Sequence, residues 1–351
     1  MYSFSGKIKL VAIISMVVGL LGIGYSFIAT PSTVEALGAH ASHDPAHAEH
    51  VLHLLQNKPW AALYVAALFF MLISLGVLAF YAINRAAQAG WAPILFRVME
   101  GITGYLPIGA LIFFLLLVFS GLHFNHLFIW MDPAVVAHDK VIQGKTGYLN
   151  VPFFLVRAAV YMLGWIAYRQ ITRKLSKAQD QAHDNRPFVK AFKWSAGFLV
   201  FFLVSESMMS WDWVMSVDPH WFSTLFGWYV FGSLIASAIA AIILVTVTLK
   251  SQGYLEHVND SHLHDLAKYL FGFSIFWTYL WFSQYLLYWY SNIPEEITYF
   301  VTRLEHYEPI VLSMLAINFL LPLLILVDSD IKRKPWVVGT MAVVILIGHY
   351  M

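Results

Sequence analysis

The chain has 351 residues, of which 60% are hydrophobic, 17% aromatic and only 12% charged, and its mean hydropathy is +0.68. That balance lies outside the range of soluble domains and reads as an integral membrane protein. Twenty acidic against 21 basic residues leave no excess charge to draw a nucleic acid. The absence of cysteine excludes disulfides, thiolate metal sites, iron–sulfur ligation and covalent haem attachment within this chain.

Stretches of about 20 apolar residues, enough to cross a bilayer, occur at 8–28, 60–83, 105–126, 151–170, 193–213, 225–249, 268–290 and 308–327. They predict eight spanning helices. A ninth begins at Trp336 and is cut off at Met351, so the remainder of that span and a tenth helix are expected beyond Met351. The first span follows Lys7 and Lys9. Its apolar run is longer than the core of a signal peptide and no small-residue cleavage site follows, which favours a retained helix.

Orientation follows from the basic residues of alternate connections. Lys7 and Lys9, then Arg85 and Arg97, then the cluster from Arg169 to Lys193, then Lys332, Arg333 and Lys334 mark one side, read as cytoplasmic together with the N-terminus. The opposite connections carry acids instead, among them Glu35, Asp132, Asp139, Asp218, Glu295 and Glu308.

The outer connection at 29–59 contains HASHDPAHAEHVLH, with His40, His43, His47, His50 and His53 at helical spacing. Imidazole pairs a turn apart suit Zn²⁺ or Cu²⁺. No carboxylate or open-site pattern accompanies the stripe, so a surface helix docking on a partner is the preferred reading and no metal site is assigned.

Polar groups gather near the outer level of the spans. Glu206, in SESMMSWDW, is seven positions before Trp213 and thus about 10 Å inside its helix end. An ionisable residue at such a depth is a functional candidate by default. Arg157 and Tyr161 share a face one or two turns inside the fourth span, and Gln284 reaches a similar level on the seventh. His123 and His126, three apart at the end of the third, are expected on one face. Two Asp-Pro steps, at 132–133 and 218–219, are expected to close the third and fifth helices.

SGLHFNHLFIWMDP, followed by SESMMSWDWVMSVDPHWFSTLFGWYVFGS, resembles the NrfD/polysulphide-reductase-type membrane subunits, most closely the second such subunit (the ActF type) of bacterial alternative complex III. The resemblance implies an all-α polytopic fold of two four-helix bundles with flanking helices. Here the first bundle would run from about 60 to 213 and the second from about 225 to 351, after helix 1 at about 8–28. It implies a quinol:cytochrome c or quinol:oxidase oxidoreductase complex of the bacterial inner membrane. Menaquinone or ubiquinone would be the bound cofactor, and haem and iron–sulfur clusters would be confined to partner subunits. Those partners would be a sister NrfD-like subunit, periplasmic c-type cytochromes and an iron–sulfur protein, with lipids around them.

On this reading His123, Glu206 and Asp212 form a proton relay, with Asp212 as the outward exit. His123, Arg157, Tyr161 and Gln284 line a quinone pocket, and Arg157 is the charge that keeps Glu206 ionisable. The alternative is a non-redox scaffold that anchors periplasmic subunits through the His-rich loop.

Overall fold

The computed structural model describes residues 6–31, 33 and 45–351, and the side chains of 45–47, 49 and 50 are not described. His40, His43, Glu35 and Asp44 therefore lie outside the described residues. Among those described, every regular element is a helix. In chain order they are α1 (Gly6–Ala29), α2 (Pro45–Ala86), α3 (Phe96–Ile102), α4 (Leu106–Gly121), α5 (Pro133–His138), α6 (Lys140–Lys145), α7 (Val151–Gln181), α8 (Arg186–Trp213), α9 (Phe226–Ser251), α10 (Asp260–Ser291), α11 (Pro294–His306), α12 (Glu308–Leu315), α13 (Leu321–Leu326) and α14 (Pro335–Tyr350).

Seven described helical stretches are long and apolar enough to cross a membrane, and the protein is a multi-pass α-helical membrane protein. They are Gly6–Ala29, Val51–Ala86, Pro93–Gly121, Val151–Gln181, Arg186–Val217, Phe226–Ser251 and Glu308–Leu326. The expected span at 268–290 lies within α10, which is 32 residues long but is not one of the seven. Its Trp and Tyr residues carry polar tips that lower its hydropathy, although about 1.5 Å per residue gives it ample length to cross. α14 is apolar and 16 residues long.

Local chemistry explains several boundaries. Asp132 does not end a helix. It caps α5, its Oδ1 accepting from the Ala134 N–H at 2.9 Å with Pro133 in the first turn, because Asp before Pro is a helix-start signal. The preceding span has already ended at Gly121. Asp218-Pro219 likewise follows the end of α8 at Trp213 and a short 3₁₀ turn at Met215–Val217. Between α12 and α13 the chain widens into a π-helical turn, Ala316–Leu320, whose following N–H, on Leu321, bonds back to Ala316. Pro322 has no N–H to offer the carbonyl of Asn318, so the α-helical ladder fails there.

The chain divides into two units, residues 1–68 with 112–151, and residues 69–111 with 152–351. In the first, α1 buries none of its residues. Aromatic contacts run from Phe27 to Trp60 (5.2 Å between ring centres), from Trp60 to Phe119 (5.9 Å) and from Tyr64 to Phe113 (4.9 Å). In the second, α9 is the central element, packed on α8, α10 and α14. Gly76 lets α2 approach α9 so closely that a Cβ there would stand 2.6 Å from the carbonyl oxygen of Leu234 and 2.8 Å from the Cβ of Ala238. Small residues at such crossings are how membrane helices gain contact when burial gives no hydrophobic advantage.

Candidate functional site

The polar centre of the second unit is built on two helical stripes. α7 buries Phe154, Arg157, Ala158, Tyr161, Trp165, Tyr168 and Thr172, and α8 buries Phe198, Phe202, Ser205, Glu206, Met209, Asp212 and Trp213. Both series repeat at three to four residues, one face of a helix. The sequence thus threads an arginine and two acids into stripes that are otherwise aromatic and aliphatic.

Arg157 and Asp212 meet in a side-on pair. Arg157 Nε donates to Asp212 Oδ2 at 2.8 Å and Nη2 donates to Oδ1 at 2.9 Å. Tyr161 adds its hydroxyl to Oδ2 at 3.2 Å, and Phe153 covers the guanidinium at 4.4 Å. Arg157 is 5% exposed and Asp212 0%. Arg157 therefore turns inward instead of reaching for a headgroup layer. Its charge is matched by Asp212 and not by Glu206 as the sequence reading had it, because the fork of a guanidinium fits one carboxylate in two parallel bonds. Asp212 is correspondingly enclosed, and Ser216 donates its hydroxyl to the Asp212 backbone carbonyl.

Glu206 sits six residues earlier on the same buried stripe, 2% exposed, with its Oε1 free of any hydrogen-bond partner. Its neighbour Ser205 accepts from Trp165 Nε1 at 2.9 Å. On the other side Ser207 touches Gly227 of α9, where a Cβ would come within 3.3 Å of its backbone. A carboxyl group in such surroundings is costly unless it is used.

The remaining sequence-predicted residues are placed differently. His123 belongs to the first unit and is exposed. It lies just past the end of α4 with a φ of 62°, its N–H bonded to the carbonyl of Ser120. The helix stops before it, so His123 and His126 do not share a helical face. His126 instead packs edge-on against His53 at 4.6 Å between ring centres, and its N–H is held by Asn57 Oδ1 at 2.8 Å. One member of the histidine stripe thus contacts the loop after α4. Gln284 is buried on α10, a helix packed chiefly on α9, and its Nε2 lacks a partner.

Burial pushes His126 below the ordinary imidazole value of about 6.5, and the neighbouring His53 adds to the effect, while Asp132 opposes it. The folded value being the lower one, His126 contributes its full stability above about pH 6.5 and loses it as the pH falls through the depressed folded value. Hydrogen exchange of the segment 122–131 is expected to quicken on acidification through that window, beyond the intrinsic pH effect. His126→Gln should flatten the response, and an equally steep response in that variant would refute the assignment.

Two clusters escaped the sequence reading. Glu100, 7% exposed, accepts from Arg97 Nη1 at 2.9 Å and from the Tyr81 hydroxyl at 3.4 Å, and Arg85 Nε donates to that hydroxyl at 3.1 Å. Arg97 also binds Asp180 of α7. Arg85 and Arg97 had served only to set orientation, although Arg97 and Glu100 at i and i+3 were a readable pair. The second cluster surrounds Arg303 on α11. Its segment reads as a connection by hydropathy, yet it carries start and stop signals: Pro294, Glu295 and Glu296 in the first turn, and Arg303 and His306 in the last.

The chain matches no protein-family model, and no curated protein matches it.

Proposed function

We propose that this chain is an integral membrane subunit of a respiratory quinol-oxidising complex of the alternative complex III type, with the NrfD-like arrangement of two four-helix bundles. It would sit in the bacterial inner membrane with its N-terminus in the cytoplasm. Its partners would be a sister NrfD-like subunit, periplasmic c-type cytochromes and an iron–sulfur protein, which together carry the covalently attached haem and cysteine-ligated clusters that a cysteine-free chain cannot hold.

The observation that supports this reading best is Glu206, an enclosed acid with an unpartnered oxygen, six residues along the same helix from a carboxylate whose charge is already matched. Quinol oxidation, with menaquinol or ubiquinol as substrate, releases protons along with electrons and needs a base, such as a carboxylate, that takes them up and passes them on. Glu206 has no ion pair to break when it does so. Asp212, held by Arg157 and Tyr161, is the fixed and oriented end of the relay, and Glu206 is its moving carrier.

Glu206→Gln keeps the shape and removes the exchangeable proton. In the assembled complex it is expected to lower quinol-dependent cytochrome c reduction about a hundredfold, the usual scale of an acid–base group, with subunit composition unchanged. Undiminished turnover would contradict the relay. A non-redox scaffold is the second reading, favoured by α1, none of whose residues is fully buried. It predicts that deleting residues 40–53 releases the periplasmic subunits while Glu206→Gln leaves turnover intact.

A further inference from the structure

Two cavities in the second unit share Tyr229, Tyr299 and Arg303. One, of about 240 Å³, is bounded by α2, α9 and α11 and includes Phe69, Phe226, Ser233 and Ser237 in its wall. The other, of about 470 Å³, is bounded by Trp281, Phe300, Ile310 and Met314 among others. Arg303 is the single basic side chain in either lining, neither contains an aspartate or glutamate, and Met351 borders the larger cavity. Arg157, Tyr161 and Gln284 line neither.

Arg303 is built into a stack. Its guanidinium lies 3.4 Å from the centre of the Tyr299 ring, and its Nη1 donates to the Tyr299 carbonyl at 2.8 Å. Trp221 stacks on the same ring at 4.2 Å and 18°, with its Nε1 fixed on the Glu296 carbonyl. Two groups so close to one ring cannot share a face, so Tyr299 is sandwiched. The guanidinium then has one face committed and one left toward the cavities. Behind the smaller cavity Ser233 is bonded to His349 Nδ1 at 3.0 Å, and His349 packs edge-on to Trp277.

The lining of the smaller cavity carries a guanidinium, two phenols and two serine hydroxyls, all able to donate, set among aromatic and aliphatic walls. Mostly apolar walls with a few convergent polar groups are the usual make-up of a small-molecule site. A planar cation between rings favours a flat, conjugated head that extends the stack. A neutral carbonyl head also avoids bringing a formal charge into apolar surroundings, as a phosphate would.

We propose that this cleft binds the head of a membrane-dissolved quinone. The ring continues the Trp221–Tyr299–Arg303 stack, and a ring oxygen accepts from Arg303. The choice of quinone rests on the function proposed above, whereas the site itself does not involve Glu206.

The test is photolabelling of the assembled complex in native-lipid nanodiscs with an azido-substituted naphthoquinone. Label is expected in peptides covering 226–237 and 299–307, to be removed by excess unlabelled quinone and untouched by added anionic phospholipid. Arg303→Leu should reduce it about tenfold, the scale of one hydrogen bond to a charged group. Arg303→Lys, which keeps the charge without the plane, should restore it only in part. Label elsewhere, label indifferent to Arg303→Leu, or displacement by phospholipid alone would overturn the proposal, the last assigning the cleft to a lipid. Labelling is read without turnover, so its failure leaves the Glu206→Gln result standing, and the converse holds.

Discussion

Arg157→Leu is expected to destabilise the protein by about 3–5 kcal/mol, because it leaves the Asp212 carboxylate enclosed with no counter-ion, and Asp212→Ala is expected to be destabilising as well, because it removes the two parallel bonds that the guanidinium makes. The double substitution Arg157→Leu/Asp212→Leu should be far less damaging than the sum of the two, since it removes both desolvation penalties and fills the space with apolar groups. The reason is geometric. Both charges are nearly or wholly shut off from the surface, and the two parallel bonds from Nε and Nη2, at 2.8 and 2.9 Å, satisfy both carboxylate oxygens. Thermal unfolding in detergent, read as a double-mutant cycle, measures this directly. Additive losses would mean that the pair is not coupled.

Gly76 gives the second large effect. A methyl group there meets the Leu234 carbonyl oxygen at 2.6 Å, and a backbone oxygen cannot rotate aside as a side chain would. Gly76→Ala is expected to cost about 1–3 kcal/mol by overpacking, and Gly76→Leu to separate α2 from α9 and abolish the folded, monodisperse protein. Size-exclusion profiles and thermal melts check both. A tolerated leucine would show that the two helices do not meet here.

Much of this architecture was readable from one-dimensional patterning. Long apolar runs announced the spanning helices, and Glu206 and Arg157 stood out because so few charges interrupt them. Spacing along each helix also placed Arg157 and Tyr161 on one face, and both are buried on the α7 stripe. What spacing could not supply was partnership. Arg157 and Asp212 are 55 residues apart, and only the contact of α7 with α8 decides that Asp212, rather than Glu206, receives the guanidinium. His123 was misplaced on a helical face because the apolar run continues past Gly121 whereas the backbone turns left-handed at His123. α11 was missed because a short amphipathic helix carries too little hydropathy to register as a span, and Arg303 was missed along with it.

Infrared difference spectroscopy of the assembled complex, recorded as quinol is added, tests the role of Glu206 most directly. A carboxylic C=O band that changes on quinol oxidation, shifts on exchange into heavy water and is absent from Glu206→Gln is the expected result. Difference spectra of the native protein and Glu206→Gln that superimpose throughout the carboxyl region would show that Glu206 neither gains nor loses a proton in turnover.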